Sequence, residues 1–267
     1  MSAQRVPAAL IELRMTNPPR RPPRPAAASC GFPRRLHAAP CQQLRYVQGC
    51  VGAGREGMSM QVGLAAASGL AWSFTYVMII YISVRHRTYA MPMLAMVTNI
   101  SWEFLFTFVY PMVGGAVQEA VNVAWLILDV AIVATFIRFW RSDFPATPHA
   151  WMWPILLGSF AFAVPLLVAT VKLFGQNLGS DYTAFGDNLM MSVLFLTMLL
   201  RRGNTRGQSG WIAAGKLVGT ALASVETYLY DPVTLLLNVI CVEIFVLDAL
   251  YLYLVLRAPR WEPDSVR

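Results

Sequence analysis

Long apolar runs decide what this chain can fold into. A helix crosses the hydrocarbon core of a bilayer with about 20 apolar residues. Residues 61–84, 90–113, 118–138, 150–174, 184–200, 210–230 and 232–257 each supply such a run. Lipid cannot satisfy open backbone N–H and C=O groups, so every run is expected to be a helix. Connections are short, and the expected fold is an all-α membrane protein: one bundle of seven transmembrane helices over residues 58–267. The run at 184–200 is the weakest, because Asp187 interrupts its start. Composition agrees, with 57% hydrophobic and 13% charged residues and a mean hydropathy of +0.51, too apolar for an ordinary soluble domain.

The net charge of +7 sits entirely in residues 1–57, which hold nine Arg against two Glu; residues 58–267 balance at twelve of each sign. The apolar body therefore has no surplus charge for a phosphate backbone, which argues against a nucleic-acid partner. Residues 1–57 hold eight prolines, including "NPPRRPPRP", and show no hydrophobic period. They are expected to be a disordered Arg/Pro-rich extension, and Met58 or Met60 is an alternative translation start. In the body, Arg and Lys alternate between loops. Arg85 and Arg87, Arg138 and Arg141, Arg201, Arg202 and Arg206, and Arg257 and Arg260 follow runs one, three, five and seven. The positive-inside rule then places the N-terminus outside and the C-terminus in the cytoplasm. Trp140, Trp151, Trp153 and Tyr230 lie near run ends, where an interfacial aromatic belt is expected. His37, His86 and His149 are far apart, and Cys30, Cys41 and Cys50 lack zinc spacing, so no metal site and no cofactor are expected.

Ionisable residues at membrane depth are the functional candidates. Asp187, Lys172 and Glu119 lie near run ends and are expected at the interface. Lys216 opens run six and is expected to snorkel to the cytoplasmic surface. Asp129, mid-way along run three, suits either an interhelical contact or a cavity. Glu226 lies near the outer end of run six, and Glu243 lies deep in run seven; both are possible additional acids. Glu103 and Asp248 stand out. Helical spacing puts Asn99, Phe106, Thr107 and Tyr110 on the face of Glu103, with Trp102 adjacent, and Phe245 and Tyr251 beside Asp248. At about 1.5 Å per residue, Glu103 lies roughly 20 Å and Asp248 roughly 14 Å from the cytoplasmic ends of their helices. If runs two and seven are neighbours, both acids can line one cavity. Water-poor surroundings disfavour a charged carboxylate, and an acid that rests protonated can act as a general acid. Aromatic faces can stabilise a developing cation. The competing reading is a structural polar contact between helices.

Three motifs carry a family resemblance. "NISWEFLFTFVYP" (99–111) resembles the N-[IS]-x-W-E…YP stretch of the small integral-membrane terpene cyclases of fungal meroterpenoid and indole-diterpene pathways and their bacterial relatives. "RRGNTRG" (201–207) resembles that family's R-G-x-T-R-G segment, and "LDALYLYL" (247–254) its last helix. Order, spacing and the seven-run layout match over about residues 60–257. The resemblance implies Glu103 and Asp248 as the catalytic acids and a reaction that protonates an alkene or epoxide on a prenyl chain. It implies no diphosphate ionisation, and the chain has neither DDxxD nor DxDD. Glu226 and Glu243 match nothing in the family pattern.

The leading expectation is a metal-independent, proton-initiated terpene cyclase of natural-product biosynthesis. A lipophilic prenylated small molecule would enter from membrane lipid, and Asn99, Trp102, Phe106, Tyr110 and Tyr251 would hold it and its cation. A pathway prenyltransferase or epoxidase would be a partner. The enzyme would be a multi-pass protein of the cell membrane in a bacterium or of an endomembrane in a fungus. The alternative is a small seven-span proton-coupled transporter, although no Pro/Gly-broken helix pair in matching halves supports it. A retinal protein is set aside, since residues 232–257 hold no Lys for a Schiff base.

Overall fold

The structure, a computed structural model, describes residues 40–111, 115–144, 148–230 and 234–262. Side chains are described from residue 60, apart from those at 115–119, 142, 149 and 230. Two compact units divide the chain, Met1–Arg55 and Glu56–Arg267, and the second holds the helices that build the candidate site. Residues 1–39, with Cys30 and His37, and the side chains of Cys41, Cys50, Glu119, His149 and Tyr230 lie outside the described residues. Of the expected extension at 1–57, residues 1–39 lie outside the described residues and residues 40–57 are helical. The prolines end at Pro40, and Pro40 itself takes the first helical position, where its missing N–H is not needed.

The described residues form seven α-helices: α1 (Pro40–His86), α2 (Met93–Phe104), α3 (Gly115–Phe139), α4 (Met152–Phe174), α5 (Gln176–Arg202), α6 (Gly210–Tyr230) and α7 (Leu235–Arg257). No strand occurs among the described residues. Among the described residues, five helical stretches are long and apolar enough to cross a membrane: Met60–His86, Ala120–Phe139, Met152–Phe174, Gln176–Arg202 and Leu235–Arg257. The expected runs at 90–113 and 210–230 are not among them. The apolar stretch Met93–Val109 is shorter, and α6 carries Lys216 and Glu226. Large apolar side chains on the outside, such as Ile127, Phe162, Leu166, Val218, Val242 and Phe245, are exposed, as lipid contact requires.

The run singled out as weakest becomes the central helix. In α5, 56% of the most apolar eighteen residues are buried, against 22% in each of the other four stretches. It packs on α2, α4 and α7. Gly179, Thr183 and Asp187, four residues apart, lie on its buried face. A local average of hydropathy reads such polar residues as a break, although they face protein rather than lipid.

On the other side α1 meets α6 closely. Ser68 Oγ donates to the Gly219 carbonyl at 2.8 Å, and a Cβ on Gly219 would come 2.8 Å from the Trp72 ring. Small residues at such crossings let membrane helices approach.

α2 ends in a π turn, Leu105–Val109, closed by the Tyr110 N–H on the Leu105 carbonyl at 2.7 Å. Widening the turn by one residue shifts the phase of everything after Phe104.

Candidate active site

The RRGNTRG segment builds one end of the bundle. Asp143 Oδ2 accepts from Arg201 Nη2 at 2.8 Å and from Arg202 Nη2 at 2.7 Å. Arg202 also donates to the carbonyls of Tyr89 and Arg206, at 3.0 and 2.8 Å. The Tyr89 hydroxyl accepts from Arg201 at 2.9 Å; burial, with the Asp143 carboxylate adding to it, pushes that phenol above its usual range, so it stays neutral. Thr205 binds the chain at Pro259 and Trp261, and the Gly207 N–H donates to His86 Nδ1 at 3.0 Å. The connections after α1, α3, α5 and α7 thus meet in one knot. Gly207 has φ +69°, and a Cβ there would collide with Arg202 Nη1 and lie 2.9 Å from the Tyr89 carbonyl oxygen. Gly207→Ala is therefore expected to lower stability by at least about 1–2 kcal/mol, the left-handed backbone cost alone, read as a lower melting temperature in detergent.

Deeper in the bundle, a cavity of about 170 Å³ is lined by side chains of α1, α2, α3, α5 and α6. Two carboxyls line it, Glu103 and Asp187, with Trp72, Tyr76, Trp102, Trp125 and Phe185 as aromatic wall. Glu103 is 2% exposed and Asp187 7%. Glu103 Oε2 and Asp187 Oδ1 have no hydrogen-bond partner, and neither acid has an ion-pair partner among the described residues. Both lining indoles with a hydroxyl nearby are satisfied: Trp102 Nε1 donates to Thr183 Oγ1 at 3.0 Å and Trp125 Nε1 to Ser73 Oγ at 2.9 Å. Asn99 donates through Nδ2 to the Tyr76 hydroxyl at 2.7 Å and to Asp129 Oδ2 at 2.8 Å. Asp129 is fully buried and anchors that network.

Beside the cavity lies a buried ion pair. Lys216 Nζ is 2.8 Å from both oxygens of Asp248, 2.6 Å from Asn188 Oδ1 and 2.7 Å from Ser192 Oγ. Its ammonium sits 5.9 Å from the centre of the Trp72 ring. Asn188 lines the cavity and donates to Thr220 Oγ1 at 2.8 Å. The pair therefore ties α5, α6 and α7 together one residue away from Asp187.

These positions correct several expectations. Lys216 does not snorkel: it is fully buried, because Asp248 on α7 and two α5 acceptors complete its coordination. Asp187 does not reach the interface, since α5 starts eleven residues earlier, at Gln176. Asp248 is not among the residues lining the Glu103 cavity; α5 packs against both α2 and α7. Phe106 and Tyr110 are not among the residues lining the Glu103 cavity, although the Phe106 ring packs 4.5 Å from that of the lining Trp102. Phe106 packs with Leu105, Leu167 and Val171, and Tyr110 lies against the same cluster. Tyr251 is buried against Phe195, ring centres 5.4 Å apart, with its hydroxyl unpartnered. Glu226 accepts from Gln61 Nε2 at 3.1 Å. Glu243 is exposed on the outer face of α7. Of the expected belt, Trp151 and Trp153 are exposed whereas Trp140 is buried. Asn99, Trp102 and Glu103 all line the cavity. Trp72, Tyr76, Trp125 and Asp187 are lining residues that sequence pattern alone does not select.

A second cavity, of about 480 Å³, lies near the Arg201 end among α2, α3, α4 and α5. It is larger, and no carboxyl lines it.

The chain is 29% identical over 164 residues to the terpene cyclase pyr4 of Aspergillus fumigatus, covering 60% of this chain and 66% of that protein. It is 30% identical over 172 residues to the Pyr4-family terpene cyclase mfmH of Annulohypoxylon moriforme (63% and 70%), and 28% identical over 178 residues to the terpene cyclase macJ of Penicillium terrestre (62% and 66%). The chain spans about two thirds of the length of these relatives. No solved structure matches it. The family profile of the Pyr4-like transmembrane terpene cyclases covers residues 56–251, from α1 through the Lys216–Asp248 pair, and the chain belongs to that family.

Proposed function

We propose that this chain is a metal-independent cyclase that starts its reaction by protonating the terminal alkene or epoxide of a prenylated lipophile, with Glu103 as proton donor. The observation that carries this reading is Glu103 itself: a buried carboxyl with an unpartnered oxygen, no neighbouring cation, and an aromatic cavity around it. In such surroundings the neutral acid is favoured over the carboxylate. Transfer of its proton to carbon, or to an epoxide oxygen, leaves a carbocation. The π faces of the Trp and Tyr wall stabilise that cation as rings close. Loss of a proton from the last cation forms the final double bond, and the chemistry is an isomerisation. The substrate enters laterally from lipid. The cavity is smaller than the roughly 300–1,000 Å³ of usual ligand sites, so binding moves its walls.

Asp248 is assigned a different role from Glu103. Both of its oxygens accept from Lys216, an arrangement that suits a carboxylate holding a cation rather than an acid giving up a proton. It is a positioning residue, acting through Lys216 on Asn188 and the cavity wall.

We also read all seven helices as spans, with the N-terminus outside. The ends of α1, α3, α5 and α7 gather in one basic knot, so α2 and α6 each carry the chain back across the bundle. Four Arg-bearing connections on one side support a cytoplasmic knot.

The test is turnover by membranes containing the full chain. The probes are farnesyl- and geranylgeranyl-substituted phenols and indoles, each as terminal alkene and as terminal epoxide. Cyclised product is expected without added metal and at an unchanged rate in excess EDTA. Uptake of a probe into proteoliposomes without conversion would favour the transporter instead.

A further inference from the structure

We infer that Asp187 is a second catalytic residue, the base that accepts the terminating proton. This rests on the cyclase reading proposed for the Glu103 cavity. A cation cascade begun by an acid must end by returning a proton to the protein, and the group that takes it must touch the same cavity. Asp187 meets that condition: it lines the Glu103 cavity from α5, is nine-tenths buried, and has Oδ1 without a hydrogen-bond partner.

The surroundings divide the two acids. Two carboxylates in one small water-poor cavity repel, so the two acids are not ionised together in the empty cavity. The Lys216 ammonium is held by Asn188, the residue after Asp187. α2, which carries Glu103, has no Lys or Arg. That ammonium is closer to Asp187 than to Glu103, so of the two acids Asp187 is the better placed to hold negative charge while the substrate cation is present. In the reaction, the Glu103 O–H bond breaks and its proton forms a bond to the substrate. The cation then stands between two carboxylates. At the end a C–H bond beside the last cationic carbon breaks, its electron pair becomes the new C=C, and the proton goes to Asp187. Transfer back to Glu103 resets the site. No oxidant or co-reactant is consumed.

The experiment compares wild type, Asp187→Asn, Asp187→Glu and Glu103→Gln in the full chain. All are given the same alkene and epoxide probes, with folding checked by detergent gel filtration and melting. Asp187→Asn is expected to start the cascade but to end it wrongly. The native product should fall at least tenfold, and isomers with a displaced double bond or water-trapped alcohols should appear. Asp187→Glu should restore the native product, which a merely structural carboxyl at this tight position would not explain. Glu103→Gln should give neither product class. Native product alone from Asp187→Asn, at any rate, overturns the inference. So does complete loss of product from folded Asp187→Asn, which would place the residue in initiation. A wild-type chain that converts no probe overturns the cyclase reading and this inference with it.

Discussion

Glu103→Gln lowers cyclised product by about 10²–10⁴-fold, the range associated with losing a general acid. The substitution is nearly isosteric and keeps a hydrogen-bonding group, so insertion and melting stay close to wild type. The loss is in turnover, not in protein. The effect is large because the cavity offers no replacement in the right state. Asp129 is buried and held by Asn99, Asp248 is clasped by Lys216, and Asp187 is assigned the opposite proton state. The measurement is product formed per folded molecule, and wild-type turnover by Glu103→Gln would refute the donor.

Lys216→Met alone destabilises the bundle by about 3–5 kcal/mol, since it strands a buried carboxylate. Asp248→Asn, which keeps an acceptor, is expected to be milder, though it still weakens the clasp on an ammonium with four acceptors. The double variant Lys216→Met/Asp248→Leu removes both charges and should recover most of the melting temperature, because replacing a whole buried pair with apolar side chains is often neutral or stabilising. The double variant also separates the roles of the two acids. If Asp248 only positions Lys216 and Asn188, folded double variant keeps measurable cyclisation, reduced by about tenfold for each 1.4 kcal/mol of lost alignment. If Asp248 were the proton donor, the folded double variant would make nothing.

The helices are legible in the sequence because hydropathy and helical period are local properties. All seven segments become helices, with α1 and α5 starting well before the expected limits. Glu103 can be selected because its depth follows from counting along one helix. The failures share a different cause. Lys216 looks like a snorkelling residue until the α7 carboxylate is placed opposite it, and no local pattern announces a pairing across 32 residues. Asp187 looks like a break in an apolar run because averaging hides which face it occupies; the Gly179–Thr183–Asp187 spacing is the available signal. Regular α spacing puts Phe106 and Tyr110 on the face of Glu103, yet neither lines its cavity, and a π turn follows Phe104. Glu243 is five residues before Asp248, about 140° away around the helix, so both could not face one core. Its exposure follows from Asp248 being buried.

The family match covers the helices that build the cavity, and the chemistry assigned to Glu103 turns on where the first proton comes from. The most direct measurement is turnover of a terminal-alkene farnesyl phenol in D₂O with excess EDTA, where the transferred atom stays on carbon. The account predicts a cyclised wild-type product carrying one deuterium on the methylene carbon next to the quaternary carbon where ring closure starts, and no product from Glu103→Gln. A cyclised product without that deuterium, or labelled product from Glu103→Gln, would contradict it.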